Sequence, residues 1–264
     1  MTHFHVWPLR RAALAVLALI PLAACTPPSA AAGPPSASPT PRASPSSTPG
    51  PYAGKIPTFA PRPVPVRPVL PGGQLAPVMS RVPTTQPVAF ITIDDGQTRL
   101  PEAVQLLKAA GVPTSLFLIS PIAAQDPPFF TALQREGGVI QAHTIKHPRL
   151  PGLSYARQKQ EICGSSDQLG QMFGKRPTLF RPPYGEYNQA TLRAAHDCGM
   201  KAVLRWKAAA NGGKVFYQTP EKRLHAGDIV LMHFRPAFVA DFLAVLKAIH
   251  DSGLTPALLE DYVG

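Results

Sequence analysis

The sequence predicts an α/β protein with a parallel, barrel-like sheet. Short apolar and β-branched runs alternate with amphipathic helical segments through residues 86–264, and seven such runs read as strands. This alternation favours parallel pairing, because each intervening helix carries the chain back to the start of the next strand. The segment holds about 180 residues, enough for one domain with a sizeable core.

Residues 1–25 have the features of an export signal. Arg10 and Arg11 precede an apolar run, residues 12–20, that is too short to span a bilayer as a conventional helix. Residues 22–25 read Leu-Ala-Ala-Cys and resemble a bacterial lipobox, in which the cysteine is lipidated and becomes the first mature residue. We therefore expect an extracytoplasmic protein anchored to the outer face of the membrane through Cys25. An ordinary secretory signal, which would release the protein, stays open.

Residues 26–85 differ in composition from the rest of the chain. They contain 17 of the 33 prolines, five basic residues and no Asp or Glu. Such a segment buries little apolar surface, and we predict a disordered, extended tether. Of the net charge of +11, residues 1–25 contribute +2, the tether +5 and residues 86–264 the remaining +4. Charge concentrated in an exported tether favours an anionic wall or lipid surface as its partner, and not nucleic acid.

The elements of the domain follow from periodicity and capping residues. Ser154 and Asn188 are suited to cap the helices that follow them, and Pro101 fits a first helical turn. The predicted strands are residues 88–94, 113–120, 138–143, 178–180, 201–206, 228–233 and 255–259. The predicted helices are Pro101–Ala110, residues 129–136, residues 155–173, Gln189–Asp197 and residues 238–249.

Polar residues follow several of the predicted strands, at the end of a parallel barrel where chemistry is located. Asp94 and Asp95 leave the first strand on opposite sides, so they can serve different tasks. Two adjacent carboxylates repel, and a bound cation relieves that repulsion. A simple Asp-Gly turn is the alternative. His143 and His147 are four residues apart, and we predict a helical turn that presents both to one zinc-like ion. An accidental histidine pair stays open.

Four motifs together resemble the polysaccharide deacetylases, the NodB-homology domain of carbohydrate esterase family four. They are Thr-Ile-Asp-Asp-Gly at 92–96, His-Thr-x-x-His at 143–147, Arg-Pro-Pro-Tyr at 181–184 and Leu-x-His at 231–233. The resemblance spans residues 87–264 in the family's order, with Ile93 in place of the usual Phe. It implies a single domain with a distorted (β/α)7 barrel.

The resemblance also implies roles for individual residues. A divalent metal, expected to be zinc with cobalt or another ion still open, would be held by Asp95, His143 and His147. Asp94 would be the general base, Arg181 its electrostatic partner and His233 the general acid. Leu231 would line the pocket for the acetyl methyl. Apart from the resemblance, the chemistry suits the Tyr184 backbone N–H as a donor to the oxyanion, and the aromatic rings of Tyr184 and Trp206 are of the type that stacks on a sugar face. For both rings a place in the core is an equal alternative.

One motif of the family is missing. Relatives carry an Asp-Trp pair after the fifth strand, where the Asp helps to orient the catalytic groups, but residues 203–213 contain no acidic residue. We expect this difference to affect rate and substrate class and to leave metal binding intact, because no ligand is lost.

Three cysteines remain to be assigned. With Cys25 given to lipid, Cys163 and Cys198 form a pair in an exported domain, which favours a disulfide. Two separate buried thiols are the alternative.

These observations predict a monomeric, metal-dependent hydrolase that removes acetyl groups from N-acetylated amino sugars of peptidoglycan or a chitin-like polysaccharide. An O-acetyl esterase acting on xylan-type glycans would use the same residues. A metal-containing pseudoenzyme that only binds carbohydrate is the alternative from another class of protein.

Overall fold

The computed structural model describes residues 51–263, and its ten strands form a single curled sheet with helices packed against it. The seven predicted strands are all present, and three further strands join them. The prediction of a barrel-like α/β domain is confirmed. The strands are β1 (Val78–Met79), β2 (Val88–Asp95), β3 (Thr114–Leu118), β4 (Gly138–Ala142), β5 (Leu179–Phe180), β6 (Ala202–Leu204), β7 (Ala208–Asn211), β8 (Lys214–Tyr217), β9 (Ile229–His233) and β10 (Thr255–Ala257).

The helices begin close to where their capping residues predict. The Ser154 side chain accepts a hydrogen bond from the Arg157 N–H, and Asn188 forms a reciprocal capping box with Thr191. No helix among residues 51–263 is long and apolar enough to cross a membrane. The helices are α1 (Pro101–Ala110), α2 (Ser120–Ala123), α3 (Pro127–Arg135), α4 (Tyr155–Phe173), α5 (Gln189–Asp197), α6 (Phe238–Asp251) and α7 (Leu259–Val263).

The strand order brings the predicted site residues to one end of the sheet. It runs β1-β6-β5-β4-β3-β2-β9-β7-β8, while β10 pairs with the first residues of β2. All pairs of named strands are parallel except β7 with β8, which form an antiparallel hairpin. The carboxyl ends of β2, β4, β5 and β9 therefore lie together.

The two faces of the sheet bury separate apolar cores. On the outer face, Ile91, Ile93 and Met232 pack with apolar residues of α1, α3 and α6. On the inner face, Phe90 and Phe117 contribute to a second core with residues of β5, β6 and α7. Alternate residues of each strand divide between these cores, so Asp94 projects from the inner face of β2.

The predicted tether requires a correction, because parts of residues 51–85 pack on the domain. Tyr52 and Val82 are buried, and β1 pairs in parallel with β6. The Arg81 guanidinium also contacts Asp228, with 2.5 Å between Nε and Oδ1. Proline-rich composition obscured these contacts: the segment cannot build a core of its own, but its few apolar side chains and its backbone groups can dock on one already formed. The rest of the predicted tether and the predicted signal at residues 1–25 lie outside the described residues.

The predicted disulfide is present. Cys163 in α4 and Cys198, at the end of α5, are bonded through their sulfur atoms, with Cα atoms 5.0 Å apart. The bond joins two helices that pack side by side. Cys25, the third cysteine, lies outside the described residues, so its lipidation stays a prediction.

Candidate active site

The turn after β2 separates the two aspartates. Asp95 has a φ of 74° and Gly96 a φ of 90°, so the chain reverses sharply just after Asp94. A Cβ atom at Gly96 would come within 2.9 Å of the Phe130 ring, in addition to the unfavourable φ. Glycine is therefore required here by both conformation and space. The turn directs Asp94 and Asp95 to different neighbours.

The histidines of the second motif lie on a bent loop after β4, so the predicted helical turn is wrong. Thr144 and His147 both have positive φ, at 69° and 54°. The loop is held from below by Glu161 of α4, whose Oε2 accepts hydrogen bonds from the backbone N–H groups of Ile145 and Lys146 at 2.9 and 2.8 Å. The loop nevertheless brings the rings of His143 and His147 together, with centroids 4.9 Å apart.

Asp95, His143 and His147 form a possible metal site. One donor atom from each lies within 4.8 Å of the others, and the other described residues contain no second group of this kind. Asp95 Oδ1 is 3.5 Å from His143 Nε2 and 3.7 Å from His147 Nε2. Two donors at zinc-ligand distances in tetrahedral geometry are separated by about 3.4 Å. Both separations from Asp95 are therefore close to the value that one small divalent ion needs.

Two further observations fit a cation at this position. The buried Asp95 Oδ1 has no hydrogen-bond partner among residues 51–263, which is costly for a carboxylate unless an ion completes its environment. His143 Nδ1 donates to the Arg181 carbonyl at 2.7 Å, which fixes the tautomer and leaves Nε2 free as a ligand. The residues present therefore fit the group that the motif predicts.

Asp94 is buried and paired with Arg181. Arg181 Nη1 donates to Asp94 Oδ1 at 2.6 Å, and the guanidinium carbon lies 4.4 Å from the centre of the Phe117 ring. Asp94 Oδ2 instead points towards the histidines, 3.8 Å from His143 Nε2. Arg181 thus holds one oxygen of Asp94, and the other oxygen faces the possible metal site.

The region of the missing motif contacts Arg181 through the backbone. Arg181 Nη2 donates to the carbonyl of Arg205 at 3.3 Å, and Nε has no hydrogen-bond partner in the described part of the chain. The Trp206 ring lies beside the guanidinium, 5.8 Å from its carbon atom. The segment that lacks an acidic residue thus contacts Arg181 through a backbone carbonyl and an aromatic ring.

The electrostatic environment acts differently on the histidines and on Asp95. Burial lowers the pKa of His143, but the charges of Asp94 and Asp95 outweigh burial and leave that pKa raised. Burial raises the pKa of Asp95, yet the close contact with His143 and the charges of the nearby histidines lower it overall. For His233, burial dominates and lowers the pKa despite both carboxylates.

The remaining predicted residues surround this centre. Tyr184 has a φ of 61°, is 54% exposed and places its ring 4.8 Å from that of His147. Leu231 is buried on β9, two residues before His233 and level with Thr92. Trp206 is half-buried against Gly185, so it is less available than Tyr184 to a sugar face.

Sequence reasoning missed the residues that support the site. Glu161, which holds the histidine loop, was hidden within an amphipathic helix, although a carboxylate next to Ile162 on the buried face is an unusual signal. Arg149 lies over the Tyr184 ring at 4.7 Å, and no local pattern indicated this contact. Both residues act on neighbours that are distant in sequence.

Known proteins are similar to this chain in sequence and in fold. A sequence model described as polysaccharide deacetylase matches residues 81–203. An uncharacterized protein of Streptomyces coelicolor is 39% identical over 197 residues, covering 73% of this chain and 79% of that protein. A peptidoglycan-N-acetylglucosamine deacetylase of Bacillus cereus is 29% identical over 160 residues, covering 58% and 75%.

Solved structures agree in fold. Bacillus subtilis PdaA, a family 4 carbohydrate esterase, superposes with a TM-score of 0.59 at 18% identity, covering 78% of this chain and 97% of that one. A CE4 family pseudoenzyme from Bacillus anthracis has a TM-score of 0.62 at 17% identity, covering 71% and 69%. The chain belongs to the polysaccharide deacetylase family. It is accordingly assigned to the deacetylase class of hydrolases.

Proposed function

We propose that this chain is a metal-dependent N-deacetylase that removes acetyl groups from the amino sugars of a cell-wall polysaccharide, with peptidoglycan as the first candidate substrate. The observation that carries the proposal is the placement of Asp94 Oδ2 beside the Asp95, His143 and His147 donor set. Relatives named for deacetylation of peptidoglycan support the choice of substrate.

The three donors would hold a divalent ion, with zinc favoured by two imidazoles and one carboxylate. Such an ion would act as a Lewis acid on the amide carbonyl and on water. The side chains contribute orientation: His143 is locked by the Arg181 carbonyl, and the loop that carries His147 is held by Glu161. This support keeps the ligands in place before substrate arrives.

Two residues on neighbouring strands, Asp94 and His233, carry out the proton transfers. Asp94 pairs in register with His233, so the carboxylate and the imidazole stand side by side on the inner face. Asp94 accepts a proton from the attacking water at Oδ2, because Oδ1 is occupied by Arg181. His233 then donates a proton to the departing amine. The backbone N–H of Tyr184 donates to the developing oxyanion.

We also propose that the protein is located at the outer face of the membrane. The lipobox-like sequence ending at Cys25 supports a lipid anchor on the outer face of the membrane, and the basic N-terminal region supports retention near an anionic wall. We propose a monomer that acts there on polysaccharide.

Acetate release tests the activity. The full chain is stripped with a chelator, reloaded with zinc or cobalt, and incubated with chitooligosaccharides, peptidoglycan and acetyl-xylan. We expect acetate from the N-acetylated substrates only after reloading. Acetate from acetyl-xylan alone would favour the O-acetyl esterase, and binding without acetate from any substrate would favour the pseudoenzyme.

Metal content tests the ligand assignment independently of activity. His147→Ala should bind substantially less than one equivalent, whereas His196→Ala, an exposed histidine paired with Asp197, should retain the wild-type content. Equal metal content in both variants would overturn the assignment.

A further inference from the structure

The hairpin formed by β7 and β8 extends the sheet beyond β9, on the side away from β2. β7 pairs in parallel with β9, and Ala209 is level with Leu231. Continuing this register places Asn211 level with His233. Within the hairpin, Ala209 pairs with Phe216 and Asn211 pairs with Lys214.

Residues in register project from the same face of a sheet. Two rows therefore cross the strands: Thr92, Leu231, Ala209 and Phe216 in one, and Asp94, His233, Asn211 and Lys214 in the other. The alternate residues confirm this assignment of faces, because Ala208, Ala210, Val215 and Tyr217 pack in the outer core. Phe216 and Lys214 thus belong to the catalytic face.

The side chains of Phe216 and Lys214 are both available at the surface. Phe216 is 57% exposed, and Lys214 is exposed with no ion pair or side-chain hydrogen bond among residues 51–263. Two strand spacings separate each from the residue of β9 in its row, roughly 10 Å. Both side chains therefore lie on the same face as His233, beside the place where the reacting group of a substrate would be.

The hairpin is fixed in position. Gly212 and Gly213 have φ values of 60° and 75°, as the tightest two-residue hairpin turns require. The Gly213 N–H donates to the buried Asp241 carboxylate of α6 at 2.7 Å. This hydrogen bond to a buried side chain ties the hairpin turn to α6.

A second unpaired cation stands near the same side of the site. Arg235 follows His233 by two residues, is exposed and has no ion pair or side-chain hydrogen bond among the described residues. Positive charge on two neighbouring segments complements a negative group on the substrate.

We propose that Phe216, Lys214 and Arg235 form a substrate-binding strip for a glycan that carries a carboxylate beside the acetamido sugar. Phe216 offers a ring face to a sugar, and the two cations bind the carboxylate. The proposal rests on the proposed deacetylase function and narrows its substrate to anionic over neutral acetamido glycans.

Calorimetric binding to the metal-loaded full chain tests the strip without requiring turnover. The probes are a neutral N-acetylglucosamine tetramer, a peptide-free peptidoglycan tetrasaccharide with carboxylates, and the same tetrasaccharide with its carboxylates reduced to alcohols. Wild type should bind the anionic probe more tightly than both neutral ones. Equal affinity for all three would overturn the proposal.

Variants assign the preference to the strip. Lys214→Glu should weaken binding of the anionic probe about three- to tenfold, with less than a twofold change for the neutral probes. Arg235→Met should act in the same direction. Phe216→Ala should weaken all three probes by about fivefold. Lys201→Glu, an exposed lysine at the start of β6, is the matched control and should change none.

The outcomes separate this proposal from the deacetylase function. Selective loss in Lys214→Glu without acetate release would uphold the strip and refute the enzyme activity. Acetate release from both glycan types, with equal effects of Lys214→Glu and Lys201→Glu, would uphold the enzyme and overturn the strip. Circular dichroism and metal content are measured for each variant, and Lys214→Met replaces Lys214→Glu if the reversed charge disturbs the hairpin.

Discussion

Two places on the inner face of the barrel bury a carboxylate, and they stabilise it in opposite ways. At the strand ends, Asp94 is matched by the buried cation of Arg181. Deeper in the barrel, Glu260 of α7 accepts hydrogen bonds from Ser115 Oγ and Gln141 Nε2, both at 2.8 Å, and forms no ion pair with any residue of the described range 51–263. We call these the Asp94–Arg181 pair and the Glu260 cluster.

The difference lies in the charge of the hydrogen-bond partners that each buried carboxylate has. Burial raises the pKa of Glu260 to about 7, even though both hydrogen bonds lower it. Two neutral partners thus offset only part of the desolvation, so the acid holds its proton in mildly acidic solution. In the Asp94–Arg181 pair the hydrogen-bond partner instead carries a full positive charge.

The largest expected effect comes from removing the charge of Asp94. Asp94→Asn should lower the rate of acetate release by about 10²–10⁴, because the general base is lost. The metal content should stay at the wild-type level, since Asp95 is the proposed ligand. Steady-state kinetics and metal analysis measure both quantities, and Asp167→Asn, an exposed acid paired with Arg176, is the control. Near-wild-type turnover would refute the mechanism.

Removing the cation should destabilise the protein. Arg181→Met leaves the Asp94 carboxylate buried without its partner, which typically costs about 3–5 kcal/mol of unfolding free energy. Denaturant unfolding measures the loss. Adding Asp94→Asn to the same chain should recover part of it, because the uncompensated charge is removed. Arg176→Met, at an exposed ion pair, should change stability by less than about 1 kcal/mol. Similar losses in both arginine variants would contradict the comparison.

Replacing the ionisable group of the Glu260 cluster should instead stabilise the protein above pH 7. In Glu260→Gln the amide can donate to Ser115 Oγ and accept from Gln141, so the hydrogen bonds survive. The variant should equal wild type near pH 4.5 and exceed it by roughly 3 kcal/mol above pH 7.

The direction of this pH dependence of stability follows from the raised pKa of Glu260. Between the ordinary value of 4.5 and about 7, the folded protein retains a proton that the unfolded chain has released, so wild-type stability falls as the pH rises. The difference between wild type and Glu260→Gln isolates this group from other titrations. The exposed Glu102→Gln serves as control, and a pH-independent difference would contradict the assigned pKa.

Much of the fold could be predicted because its signals are local. The helices Pro101–Ala110 and Gln189–Asp197 have the predicted bounds, since Pro101 and Asn188 mark their starts. The hairpin of β7 and β8 was missed although Gly212-Gly213 is a turn signal, because the run of alanines before it lacks strand character. β1 was missed since its two residues are strand only through pairing with β6.

The residue types of the site were predictable, but their arrangement was not. The sequence motifs located Asp94, Asp95 and the two histidines, and strand order brought them together. The backbone conformation of the histidine loop depends on Glu161, which approaches from a helix later in the chain. Arg149 and Arg235 gave no local signal either, because their roles depend on three-dimensional neighbours.

The docking of residues 76–82 has a consequence for any shortened form of the protein. β1 covers one side of β6, and the Val203 and Arg205 N–H groups donate to carbonyls in this segment. A chain that starts at residue 86 would leave β6 as an unpaired strand edge, a template for pairing between molecules. Aggregation of such a fragment would then reflect this missing cover, and not an unstable barrel.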